Sequence, residues 1–164
     1  MNSEIIAPQS ATIGSDSVRE HSKFLIFSVN YEEYGVDIMT VREIKGWGDT
    51  TRLPNSPAYV RGVMNLRGVI VPIFDLRARF TGILTETTPK HVMIVLMAGE
   101  RMVSILADTV SDIITANRED MKCAPDTETT IEQRYITGLI AVDQRMVVVL
   151  DIEKLLGKPL TPKP

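Results

Sequence analysis

Apolar and polar positions alternate in two consecutive short runs near the start of the chain. Residues 24–29 are mostly large and apolar, residues 30–33 are polar, and in residues 34–38 every second side chain is large and apolar. A period of two is typical of a strand with one face toward solvent. The pattern therefore predicts a strand, a turn and a second strand.

The same plan returns later in the chain. Residues 91–98 are apolar, Gly99 and Glu100 form a turn, and residues 101–107 alternate again. Residues 41–44 are echoed by residues 110–113 at an offset of 69, and residues 62–75 by residues 138–151 at an offset of 76. The chain is thus predicted to be an internal repeat. The difference of 7 residues is assigned to an insertion in the polar segment 115–132.

Each repeat is expected to contain a hairpin, a third strand, a second hairpin and a short helix. In the first repeat the third strand is expected at residues 42–45, and the second hairpin at residues 63–74 with its turn at Arg67 and Gly68. In the second repeat Asp151 is the expected N-cap of the helix and Gly157 its end. Two units of about five short strands predict a mainly β chain with two packed, closed or nearly closed barrels.

Composition narrows the classes of function. The net charge is −3 and the basic residues are scattered, which argues against a nucleic-acid partner. The single cysteine, Cys123, cannot form an internal disulfide, and a reducing compartment is expected. No stretch has the pattern of a signal peptide or a membrane span. Residues 1–21 and 159–164 are predicted to be tails, because residues 1–21 lack periodic apolar positions.

Catalytic and metal-binding signatures are missing from the sequence. The chain has two histidines, His21 and His91, which is too few for a metal site of ordinary composition. No nucleophile elbow, phosphate-binding loop or dinucleotide fingerprint occurs. We therefore expect no cofactor, no metal and no enzymatic activity.

The segment around residues 53–73 is the most distinctive part of the sequence. Pro54 and Pro57 restrict the chain where it enters a strand, while Gly62 and Gly68 permit sharp turns or close backbone contact. Two interpretations remain open at this point. The segment is either a rigid surface that contacts a partner or an ordinary solvated hairpin.

Taken in order, these motifs resemble those of the CheW family of bacterial chemotaxis coupling proteins. In the first repeat the resemblance lies in residues 34–38, 41–44, 53–57, 65–68 and 71–77. In the second it lies in residues 108–113, 135–139 and 151–156, so that it covers about residues 22–157. Only the ordered set is specific, since each motif alone is common.

The resemblance implies a fold and a role. The fold would be two packed, five-stranded SH3-like β-barrels with short helices and a shared core, the first at about residues 22–84 and the second at about 88–158. The role would be a non-enzymatic scaffold that couples methyl-accepting chemoreceptors to the regulatory domain of the histidine kinase CheA and lets receptors control autophosphorylation. Its expected place is the cytoplasm, at membrane-associated receptor arrays.

Two contact surfaces are expected from this role. A receptor tip is a helical hairpin, which would dock in an apolar groove between the barrels. The expected receptor-binding residues, with Glu43 facing Arg67, are Val36, Val41, Glu43, Val63, Asn65, Leu66 and Arg67. The expected kinase-binding residues follow the third strand and are Thr51, Arg52, Leu53 and Pro54.

One alternative function comes from a different class. A stand-alone small-molecule sensor could use the core between the barrels as its pocket. Four side chains are expected to fill that space instead, namely Met93, Val95, Met102 and Ile105.

Overall fold

The computed structural model describes residues 21–123 and 131–157. Both predicted tails, except for His21, lie outside the described residues, as does part of the predicted insertion. His21 itself begins the first strand.

Strands make up most of the described chain, which confirms the mainly β prediction. They are β1 (His21–Val29), β2 (Glu32–Asp37), β3 (Val41–Gly46), β4 (Val60–Leu66), β5 (Val69–Asp75), β6 (Val92–Ala98), β7 (Arg101–Ala107), β8 (Thr109–Asn117), β9 (Met121–Lys122), β10 (Ile136–Val142) and β11 (Arg145–Leu150). The helices are α1 (Leu76–Thr81) and α2 (Ile152–Leu156), and Asp75 and Asp151 cap them. Ile38, expected in a strand, instead begins a 3₁₀ turn whose N-cap is Asp37.

The strands form two sheets. One sheet, here called the terminal sheet, has the order β8-β1-β2-β11-β10-β9. The other, here called the central sheet, has the order β3-β6-β7-β5-β4. The central sheet therefore uses residues 41–107, and the terminal sheet uses the chain on both sides of it.

This topology corrects the expected division of the chain at residues 84–88. Each repeat gives its first hairpin to one sheet and its remaining strands to the other. The exchange occurs because β2 pairs in parallel with β11 of the second repeat, while β7 pairs in parallel with β5 of the first. Neither sheet is formed by a single repeat, and the two repeats are intertwined.

The repeat itself holds at the level of strand register. Ile26 pairs with Asp112 in the terminal sheet, and their equivalents Val95 and Glu43 pair in the central sheet. Register shifts also recur, since β4 shifts before Gly62 and β10 before Gly138. Matching irregularities in both copies indicate that one backbone plan was used twice.

Three apolar clusters hold the sheets together. The largest lies between them and takes side chains from both, including Phe27 of β1 and Ile105 of β7. Each sheet also has its own cluster, around Val71 and Ile73 in the central sheet and around Ile26 and Val147 in the terminal sheet. Strands such as β1 are therefore buried on both faces, because alternate residues face different clusters.

Tyr34 in β2 is a titratable side chain buried in the core. Its ring lies in the cluster between the sheets, and its hydroxyl donates a hydrogen bond to Glu32 (2.8 Å). Burial, with a further contribution from the Glu32 carboxylate, raises the pKa of Tyr34 above its usual range. The hydroxyl therefore stays protonated and continues to donate this bond.

Candidate interaction surface

The two edges of the central sheet meet on one side of the molecule. After β3 the chain crosses to β4, where Thr51 and Val63 exchange two backbone hydrogen bonds of 2.9 and 2.7 Å. Gly62 makes this crossing possible. Its φ is +140°, and a side chain there would collide with the carbonyl oxygen of Thr51. In the described residues the linker after β3 meets β4 at this single bridge, and β3 itself does not pair with β4.

Glu43 and Arg67 form the predicted contact between the same two edges. Arg67 Nη2 donates to Glu43 Oε1 at 2.8 Å, so the expectation that these side chains face one another is confirmed. The Arg67 side chain is 76% exposed, whereas Glu43 is only 26% exposed. The other carboxylate oxygen of Glu43, Oε2, is buried without a hydrogen-bond partner. The carboxylate thus fixes the direction of a guanidinium that is otherwise in solvent.

The hairpin between β4 and β5 orients Arg67 through its turn. Arg67 and Gly68 both have positive φ, at 51° and 87°. Gly68 N donates to the side chain of Asn65 at 2.8 Å, so Asn65 closes the turn. Asn65 therefore positions the Arg67 backbone, in addition to being exposed itself.

The loop of residues 51–54 is exposed along its whole length. Leu53 is 39% exposed, and Arg52 and Pro54 are also exposed. Ser56 Oγ donates to the Leu53 carbonyl oxygen at 2.7 Å, which fixes the backbone beneath the Leu53 side chain. A large apolar side chain is thus held outward by an ordered turn.

The predicted groove walls do not all lie at the surface. Val36 is fully buried in the cluster between the sheets, so its assignment as a groove wall is wrong. Leu66 is 6% exposed and packs inside the central sheet, so it supports the surface from below. Val41 and Val63 are half-buried. Val36 faces inward because β2 is a central strand, buried between β1 and β11.

Sequence reasoning missed several exposed or half-buried apolar residues near these positions. Ile38 and Val110 are partly buried against the core between the sheets, as Val41 is. Val110 could have been found, because it is the repeat equivalent of Val41. Ile44, Val69 and Ile70 are 45%, 47% and 61% exposed on β3 and β5.

The equivalent surface of the terminal sheet has different chemistry. Asp143 stands at the position of Arg67 and shares its positive φ of 55°. Asp112 stands at the position of Glu43, and its carboxylate accepts from the backbone of Ile113 at 2.8 Å. Two acidic residues replace an ion pair, so this feature belongs to the central sheet alone.

The core between the sheets is filled by protein side chains. Every residue of that cluster has an exposure of 8% or less. Of the four residues expected to fill it, Ile105 does, whereas Met93, Val95 and Met102 pack inside the central sheet. Alternation along β6 and β7 sends neighbouring side chains to opposite faces, and this separates them.

Two searches of the described residues were negative. Residues 21–123 and 131–157 contain no cluster of three potential metal ligands among His, Cys, Asp and Glu. The same ranges contain no helix with the length and apolarity needed to cross a bilayer.

By its fold and surface, the chain is a β module of two intertwined sheets that presents charged and apolar side chains at a sheet edge. Comparison with known proteins then gives the family. The family model described as "CheW-like domain" matches residues 23–159. The chain belongs to the CheW family of chemotaxis scaffold proteins.

Individual relatives agree with this assignment. The chain is 46% identical over 135 residues to the chemotaxis protein CheW of Klebsiella aerogenes, covering 82% of this chain and 81% of that protein. It is 39% identical over 133 residues to CheW of Rhizobium meliloti, covering 81% and 86%. The crystal structure of the scaffolding protein TtCheW from Thermoanaerobacter tengcongensis matches with a TM-score of 0.72 and 27% identity, over 79% of this chain and 83% of that one.

Proposed function

We propose that this protein is a cytoplasmic adaptor that joins chemoreceptors to a CheA-type histidine kinase within receptor arrays. It carries out no chemistry itself and lets the receptor control kinase autophosphorylation. The observation that carries the proposal is the arrangement of the central sheet, where the Glu43–Arg67 pair and the exposed 51–54 loop lie at the same pair of edges. Membership of the CheW family supports the same role.

The receptor tip is proposed to contact the half-buried apolar residues between the sheets and the polar pair beside them. Val41, Ile38 and Val110 pack on the shared core yet keep part of their surface exposed, as the wall of a helix-binding groove requires. Glu43 and Arg67, with Val63 and Asn65 on β4, supply direction and polar contacts. Leu66 supports them from inside the sheet.

The kinase regulatory domain is proposed to contact residues 51–54. Leu53 is an apolar anchor whose backbone is already ordered by Ser56 and by the Thr51 bridge to β4. Little further ordering is needed on binding, so most of the apolar contact energy is retained.

The kinase contact is tested by Leu53→Asp. Calorimetry with the kinase regulatory domain should show a loss of roughly 2 kcal/mol or more in binding free energy. The loss is expected because a charged side chain replaces an apolar one that becomes buried in the complex. The matched control is Met146→Asp on β11, since Met146 is a similarly exposed apolar residue (49%) on the other sheet. Equal affinities for wild type and Leu53→Asp would exclude this surface.

The receptor contact is tested by Arg67→Ala in arrays reconstituted from receptor fragments, kinase and the folded variant. Receptor-dependent kinase activation should fall more than direct kinase binding does. Asp143→Ala is the control, because Asp143 occupies the equivalent turn with the same backbone conformation. Wild-type activation by Arg67→Ala would remove both Arg67 and Glu43 from the receptor surface.

A further inference from the structure

A cavity of about 590 Å³ lies apart from both proposed surfaces. It is bounded by the β1–β2 turn, the linker that follows α1, and the residues between β7 and β8. The residues that matter for its chemistry are Tyr31, Arg77, Leu84, His91 and Asp108.

Arg77 supplies an unsatisfied positive charge to this cavity. Its side chain is partly buried, and the Nε atom is buried without a hydrogen-bond partner. Within the described part of the chain no carboxylate lies in ion-pair range of it. A buried donor without a partner is destabilising, and a ligand acceptor would supply the missing hydrogen bond.

Two polar side chains of the cavity, His91 and Asp108, are already hydrogen-bonded. Asp108 accepts from the backbone of Asn30 at 2.8 Å and pairs with His91 Nε2 at 3.1 Å. Thr88 N donates to His91 Nδ1 at 3.0 Å, so Nδ1 is the acceptor and Nε2 carries the proton. Glu86 and Lys90 also line the cavity, and both are exposed. Among the lining residues, the buried donor without a partner is therefore Arg77 Nε.

The cavity wall is ordered before any ligand binds. Thr85, in the linker, donates from N and Oγ1 to the fully buried Asp75 at 2.8 Å each. Further along, the contacts from Thr88 through His91 to Asp108 hold the end of the linker against the β1–β2 turn. A site with fixed walls loses little entropy when it is occupied.

Tyr31 and the linker add exposed apolar surface at the rim. Tyr31 is fully exposed and has a φ of 66°, a conformation in which a bulky side chain is an outlier. The conformation is set by the two-residue loop of the β1–β2 hairpin, in which Asn30 also has a positive φ of 52°. Ile83 and Leu84 are also 56% and 47% exposed.

The cavity is not a by-product of the repeated backbone. The repeat equivalents of Asn30, Arg77 and Asp108 are Gly99, Glu153 and Met39, and these line a second, smaller cavity of about 370 Å³. There an acidic residue stands where Arg77 stands in the first. Of these two equivalent cavities, only the first has the basic residue Arg77 at this position.

We propose that this cavity binds a segment of a partner protein in which a carboxylate is flanked by apolar side chains. The carboxylate would accept from Arg77, while the flanking side chains would pack on Tyr31 and Leu84. This is a third contact surface, distinct from those of the proposed function, and it does not depend on them.

The test is an NMR titration of the full ¹⁵N-labelled chain with two peptides, acetyl-Leu-Glu-Leu-Phe-amide and acetyl-Leu-Gln-Leu-Phe-amide. The Glu peptide should cause saturable shifts of the Arg77 Nε–Hε signal and of the Tyr31 and Leu84 amides. The Gln peptide should bind about tenfold more weakly or worse, because it lacks the charge-assisted hydrogen bond. Equal affinity for the two peptides, or shifts confined to other surfaces, would overturn the proposal.

Variants separate binding from folding. Arg77→Gln should abolish the preference for the Glu peptide, whereas Lys154→Gln, on α2 and 65% exposed, should leave it unchanged. Tyr31→Gly should weaken binding while the melting temperature stays the same or rises, because backbone strain is relieved. Wild-type preference in Arg77→Gln contradicts the proposal. Displacement of the Glu peptide by inorganic phosphate at similar concentration would instead indicate a free-anion site and refute a peptide site.

Discussion

The central and terminal sheets share a backbone plan but present different chemistry. Strand order, pairing register and bulge positions correspond between them. At the equivalent hairpin turn the central sheet carries Arg67, paired with Glu43, whereas the terminal sheet carries Asp143. The same apolar pattern thus produces the fold twice, while a few exposed positions give the two sheets different surface charges.

The same contrast holds at the two helix caps. Asp75 and Asp151 cap α1 and α2 in the same way. Asp75 is fully buried and also binds Thr85 and Arg61, whereas the Asp151 side chain is 31% exposed. One cap therefore anchors the linker between the repeats, and the other serves only its helix.

The largest effect is expected at these caps. Asp75→Ala should lower the free energy of unfolding by about 3 kcal/mol or more, because it leaves Arg61 and the Thr85 donors without their buried acceptor. Asp151→Ala should cost about 1 kcal/mol, the ordinary value for a lost N-cap. Guanidinium denaturation of both variants measures the difference. Equal losses of stability in the two variants would mean that the contacts of Asp75 with Thr85 and Arg61 add nothing beyond the N-cap itself.

The two bulge glycines should give the next largest difference. Gly62→Ala should cost about 2–3 kcal/mol, since it combines a positive φ with a collision against the Thr51 backbone. Gly138→Ala should cost less, about 1–2 kcal/mol, because its φ is not positive. The Met121 side chain and the Lys122 carbonyl oxygen, at 3.0 Å, would still have to shift.

Kinase binding provides a second measurement that should distinguish Gly62→Ala from Gly138→Ala. If Gly62 sets the path of the 51–54 loop, Gly62→Ala should also weaken kinase binding in protein that remains folded by circular dichroism. Gly138→Ala serves as the control and should bind normally. Unaltered kinase affinity in folded Gly62→Ala would show that the loop does not need this crossing.

The smallest stability effect is expected for the Glu43–Arg67 pair. Arg67→Glu should cost roughly 0.2–1 kcal/mol, because the Arg67 side chain is 76% exposed. Glu43→Arg should cost about 1 kcal/mol, because Glu43 is only 26% exposed. The double variant, which reverses the pair, should recover that stability but not receptor-dependent kinase activation, since the charges then face the receptor with opposite signs. Recovery of both properties would show that only the presence of a pair matters.

Much of the fold could be predicted from local patterns. Period-two alternation identified the hairpins, and the offsets of 69 and 76 identified the repeat. The helix cap at Asp151 followed from residue type and position. These features depend on neighbours along the chain, which is why one sequence was sufficient to find them.

The candidate surface was predicted only in part. The contact between Glu43 and Arg67 was expected and is present, and the 51–54 loop is exposed as its composition indicated. Val36 was assigned to the surface because alternation alone does not reveal that a strand is covered on both faces.

Local sequence patterns were sufficient to predict most strands and turns and the internal repeat. Which strands pair with one another is seen only in the three-dimensional structure. Alternation predicts that β2 and β7 are strands, but it carries no information about the parallel partners β11 and β5, which come from the other repeat. These parallel pairings allow the side chains on both faces of each strand to pack into the three apolar clusters. The clusters bring together residues that are far apart in the chain, so a local pattern does not predict the pairings.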